Sequence, residues 1–131
     1  MKGAVAAALF ASVGLAAQAA TQPTRGDPEA GAAIYDRCAA CHALDRDRTG
    51  PRHCGLIGRR AGSVRAFEGY SEAMKRSRIV WSEATLDRFL RNPTAYVRGT
   101  SMGYAGIADA KERADLIAYL VRANGVTPCR K

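Results

Sequence analysis

Apolar residues recur at helical spacing in four stretches of this chain, each opened or closed by residues that punctuate helices. Asp27-Pro28-Glu29 supplies an N-cap, a proline at the first helical position and an acidic first turn. Ala30, Ala33, Ile34 and Cys38 follow on one face. Ser71 is placed to cap a short helix through Arg76. Ser82 caps another, whose Leu86, Phe89 and Leu90 share a face. It ends before Asn92-Pro93, because the residue preceding a proline is driven out of the α region. Asp109-Ala110-Lys111-Glu112 is capping-box-like and opens the last helix. There Leu116, Ile117, Leu120 and Val121 recur until Asn124-Gly125 stops it. Alternating strand patterns are nearly absent. The intervening segments, Leu44 to Gly69 and Pro93 to Ala108, are long and glycine-rich, which in a small domain points to a functional role for the loops. The predicted fold class is all-α, with three main helices, short ones, and long ordered loops.

The N-terminus changes the domain picture. Lys2 precedes an apolar, alanine-rich run from Gly3 to Ala16, too short to span a bilayer, and Ala17-Gln18-Ala19 fits an A-x-A cleavage site. Residues 1–19 therefore read as an export signal cleaved after Ala19, with 20–131 as a single domain and no stable membrane insertion expected. Cleavage removes one charged residue, Lys2, leaving 19 basic against 12 acidic side chains, a charge of +7. That balance favours partners with acidic surfaces. Nucleic acid is excluded as a partner on the ground that an exported protein rarely meets it.

The chemistry sits in Cys38-Ala39-Ala40-Cys41-His42, a C-x-x-C-H motif, which is the attachment sequence of a c-type haem. Two thiols three residues apart add across the two vinyl groups of one porphyrin, and the next residue brings an imidazole beneath the ring. A thioredoxin-like pair would need a βαβ pattern, which is missing. A zinc site would need two regularly spaced ligand pairs, whereas His53-Cys54 is an adjacent pair. Covalent haem is added after export, so motif and signal agree. A buried haem would also supply apolar core to a chain with one Trp, five Tyr and three Phe. For the second axial position the candidates are Met74, Met102 and His53. Met102 lies on a loop flanked by Gly99, Gly103 and Gly106, which allows close approach, whereas Met74 suits the apolar face of a short helix.

From Asp27 to Asn124 the chain resembles the class I cytochromes c, and within them the cytochrome c2 and mitochondrial-type group. The resemblance is carried by the C-x-x-C-H motif, Gly50-Pro51 with Gly55-Leu56-Ile57-Gly58-Arg59, and Tyr70-Ser71-Glu72-Ala73. It continues through Ile79-Val80-Trp81, Asn92-Pro93 to Ile107, and Arg113 to Leu120. It implies one haem c attached through Cys38 and Cys41, with His42 and Met102 as metal ligands. Pro51 would accept from the Nδ1 proton of His42, and Arg59, Tyr70 and Trp81 would hold a buried propionate. Gly31 and Tyr35 match positions where the first helix crosses the last near Leu116 and Tyr119. With Cys38 and Cys41 taken by haem, the resemblance also brings Cys54 near Cys129, implying a disulfide in an oxidising compartment.

Several positions depart from the family. The loop from Ala43 to Gly50 is about three residues shorter, a difference read against the resembled family. His53 replaces a buried leucine, so either its ring turns outward or the loop register differs. Phe89 replaces a tyrosine whose hydroxyl reaches the methionine sulfur, and Arg98 replaces a proline. Thr94 and Ser101 replace lysines around the haem edge, a positive field that Arg37, Arg46, Arg91 and Arg98 are expected to restore in part. The function implied is a monomeric periplasmic electron carrier, not an enzyme, whose soft methionine ligand and burial set a high potential. The rivals are a haem peroxidase or gas-binding sensor with an open distal site, and a dedicated electron acceptor of one periplasmic dehydrogenase.

Overall fold

The structure, a computed structural model, describes residues 25–126 and Cys129. The expected signal, residues 1–19, lies outside the described residues. Among the described residues five helices follow in order: α1 Pro28–Ala39, α2 Glu72–Arg76, α3 Glu83–Arg91, α4 Pro93–Tyr96 and α5 Ala110–Asn124. Among the described residues the only β pairing is an isolated bridge between Arg60 and Val80, and no helix is long and apolar enough to cross a membrane.

The caps act largely as the sequence anticipates. The Asp27 carboxylate accepts from the Glu29 N–H and Pro28 opens α1. Ser71 accepts from Met74 N–H at 3.1 Å. The full reciprocal capping box is found at Ser82, not at Asp109. Ser82 N–H donates to the Thr85 hydroxyl at 2.8 Å and Thr85 N–H to Ser82 Oγ at 3.2 Å, while Asp109 accepts from Glu112 without a return bond. The expected loop beginning at Pro93 instead opens with α4. Asn92 caps it by accepting from Ala95 N–H, and Pro93 stands at its first position, the same device as Asp27-Pro28. Helix α5 stops at Gly125 without a left-handed cap, at φ −94°. Its last residue, Asn124, is pinned instead. The side chain donates to Leu120 O and accepts from Leu56 N–H at 2.9 Å.

α1 crosses α5 where Gly31 leaves no room for a Cβ, which would overlap the Asp115 carbonyl. Tyr35 packs on Tyr119 there, ring centroids 5.1 Å apart. The buried Asp115 carboxylate accepts from Asp27 N–H at 2.6 Å and from Lys111, and these bonds hold it below the usual carboxylate range. Arg113, only 2% exposed, donates to Asp87 and to the carbonyls of Ile107 and Ala108, which ties the end of the last loop to α3 and α5. Leu116, Leu120, Leu86, Phe89, Leu90 and Trp81 form the core. This frame leaves one face of the core open as a cavity.

Candidate functional site

The cavity, about 350 Å³, is lined by Cys38, Cys41, His42, Pro51, Arg59, Tyr70, Trp81 and Met102, so every residue expected at a haem comes to one place. Cys38 stands in the last turn of α1, and the turn continues past the helix end, with Cys41 and His42 N–H both donating to Cys38 O. Neither cysteine is in a disulfide, and burial pushes the Cys38 thiol up to about 11 against the opposing Arg37 charge.

His42 is held on several sides. Its Nδ1 lies 2.7 Å from Pro51 O. A carbonyl only accepts, so Nδ1 carries the proton and Nε2 is left with a lone pair. Gly50 lies against the ring so closely that a Cβ would overlap the imidazole, and its N–H donates to Cys41 O at 2.8 Å. Burial holds the His42 pKa below the usual histidine value, with the Pro51 carbonyl opposing.

For His53 the sequence leaves two readings, an outward ring or a shifted loop register, and the ring does not turn outward. It faces in, stacked on His42 at 4.3 Å and 20°, with Nδ1 3.1 Å from the Tyr35 hydroxyl. Burial first, then its neighbours His42 and Arg59, push its pKa down to about 3, so the ring is neutral. The available signal was that both histidines of the chain flank one Gly50-Pro51 turn.

The Met102 side is different. Met102 N–H donates to Thr100 Oγ1 at 3.2 Å, and Gly99 adopts φ +89° just before it. Gly106, at φ +101°, passes against Arg91 O where no Cβ would fit, and Ile107 N–H closes the loop on Leu90 O. Met74, Leu86, Phe89 and Leu90 add apolar lining to the same cavity. Met74 is a core side chain that also lines the cavity, a role its helical spacing alone does not distinguish.

Arg59 and Trp81 are brought together by backbone pairing, Trp81 N–H to Arg59 O and Gly58 N–H to Trp81 O. Arg59 donates its two terminal nitrogens to Cys54 O and Arg52 O, yet its Nε is buried without a partner. A buried guanidinium donor left unmet beside a cavity fits an anionic group there. Tyr70 stands edge-on to Phe67 at 4.9 Å, its phenol pKa raised by burial. Two thiols, an imidazole with a free Nε2, and this orphan donor fit a haem with its carboxylate.

Of the arginines expected around the haem edge, two are placed as follows. Arg37 lines the cavity but is paired to Glu112 at 2.9 Å, and Arg98 lines a separate shallow hollow with Arg76, Ser77 and Tyr96. Cys54 and Cys129 are joined in the structure, Cα atoms 4.9 Å apart across 75 residues of sequence.

The chain matches the family described as Cytochrome c over residues 28–124. It is 50% identical to a cytochrome c of Tetrahymena pyriformis over 97 residues, covering 72% of this chain and 87% of that protein. It is 41% identical to a cytochrome c2 of Rhodomicrobium vannielii over 103 residues, covering 76% and 82%. The structure of cytochrome cH from Methylobacterium extorquens superposes with a TM-score of 0.71 at 37% identity, covering 74% of this chain and 99% of that one. With cavity, motif and all-α fold in agreement, the chain belongs to the cytochrome c family, electron carriers bearing one c-type haem attached through the two cysteines of the C-x-x-C-H motif.

Proposed function

We propose that the protein is an exported, periplasmic electron carrier in which His42 and Met102 are the axial ligands of the haem iron. The observation that carries this reading is the convergence of His42, with Nε2 left free by the Pro51 bond, and Met102 on one cavity. The haem supplies the one-electron Fe(III)/Fe(II) couple. Cys38 and Cys41 anchor it. Pro51 fixes the His42 tautomer and strengthens the imidazole as a donor. Met74, Leu86, Phe89 and Leu90 give the cavity an apolar lining that disfavours water. The unmet Arg59 Nε, with Tyr70 and Trp81, would hold a propionate of the haem. The Cys54–Cys129 disulfide, the cleavage after Ala19 and a monomeric state belong to the same reading. Cys41 is exposed, so partners approach the cavity from the motif side, steered by the +7 charge toward acidic surfaces.

The test is the distal position. Met102→Ala should abolish the ferric Met–iron charge-transfer band and let the ferrous protein bind carbon monoxide, which the unaltered protein should resist. Rapid carbon monoxide binding by the unaltered protein would instead support a peroxidase or gas sensor.

A further inference from the structure

The stacking of His53 on His42 takes no part in the function proposed above. Space-filling does not account for it. An imidazole loses hydration on burial, and an aliphatic side chain would occupy the same space without that cost. Only one of its two ring nitrogens has a partner here, the Tyr35 hydroxyl at 3.1 Å. What the ring offers that an aliphatic chain does not is that nitrogen for Tyr35 and a flat face, and the face lies nearly parallel to His42.

The mounting of His53 is firm. Its N–H donates to Ala43 O at 3.0 Å, and the next residue donates to Leu44 O at 2.7 Å. The same short segment is bonded to Cys129 and, at Leu56, to Asn124 of α5. Tyr35, only 8% exposed, stands edge-on to the ring at 5.6 Å and is itself packed on Tyr119. The α1–α5 crossing thus reaches His42 through two rings. The Pro51 bond and the contact with Gly50 restrain other parts of the His42 imidazole, and His53 covers its face.

We infer that His53, held by Tyr35, is a positioning residue that fixes the plane of the His42 imidazole and the alignment of its Nδ1–H with the Pro51 carbonyl. This rests on the reading of His42 as an axial ligand.

The holoprotein tests it by NMR, through the hyperfine-shifted His42 ring signals of the ferric state and the solvent exchange of His42 Nδ1–H. In His53→Leu the exchange should quicken roughly fivefold to tenfold, the change expected for a weakened hydrogen bond of typical net strength, and the ring signals should move. His53→Phe, which keeps a flat face, should recover most of both. Tyr35→Phe, which keeps the core volume, should fall between, and it carries the test if His53→Leu does not fold. Exchange and ring signals unchanged in His53→Leu, or in Tyr35→Phe if only that variant folds, would overturn the inference. So would a His53→Phe variant that behaves like His53→Leu. Unaltered protein lacking hyperfine-shifted His42 signals would overturn the ligand reading itself, a failure distinguishable from the others because no variant is needed to see it.

Discussion

On the His42 side of the cavity, polar groups are paired and cross-linked. Nδ1 meets Pro51 O, Gly50 N–H meets Cys41 O, His53 meets Tyr35, and the 53–56 segment is tied to the end of α5 by Asn124 and Cys129. On the Met102 side, a loop turning at Gly99 and Gly106 carries Met102 to the apolar-lined cavity, with Thr100 as its local hydrogen-bond partner. The difference follows from the ligands. An imidazole has a second nitrogen whose bonding sets its tautomer and orientation, so it needs a built polar environment. A thioether has no such second group, and an apolar lining that disfavours water is enough. The first side is therefore exposed to loss of cross-links and tight packing, the second to gain of a polar group.

Removing the tether should have the largest effect on stability. Replacing Cys54 and Cys129 together by Ala should cost up to about 4 kcal/mol for so long a loop on the chain-entropy view. Thermal unfolding of the holoprotein would measure this. Carbon monoxide should still be excluded, because neither Cys54 nor Cys129 lines the cavity that Met102 lines. A variant that bound carbon monoxide at once would show the two sides to be coupled. Gly50→Ala forces a methyl group into the His42 ring and should cost about 1–3 kcal/mol, the range of overpacked cores. An unshifted unfolding temperature would mean that the turn relaxes freely.

Acid should weaken the helix crossing behind the His42 side. The folded pKa of Asp115 lies below its ordinary 3.8, chiefly through Lys111 and then the Asp27 N–H. Its contribution is fully present above that ordinary value and is lost as pH falls through the lower folded value, because the unfolded chain binds the proton first. Asp115→Asn should flatten this limb of the stability profile. A limb of undiminished slope in acid unfolding curves would assign it to other carboxylates.

The smallest effect is expected on the Met102 side. Phe89→Tyr supplies a hydroxyl that could donate to the Met102 sulfur, withdrawing electron density and raising the midpoint potential by no more than about 1 kcal/mol equivalent. A lower or unchanged value in voltammetry would show that the hydroxyl does not reach the sulfur.

Four of the five helices were legible because their signals are local. A cap residue, a proline at the first position and a 3.6-residue apolar period all act within a turn or two of the residue that carries them. Helix α4 could have been read by the same rule, since Asn92-Pro93 repeats Asp27-Pro28. The haem followed from five consecutive residues, whose chemistry is fixed by their spacing. Tertiary structure alone decided what depends on contacts distant in sequence. It turned His53 inward on His42, paired Arg37 with Glu112 and set Arg98 in a different hollow, and left Arg59 Nε without a partner beside the cavity. Whether a polar side chain is buried, paired or left open depends on which remote segment packs against it, and the spacing of residues along a helix or loop carries no record of that partner.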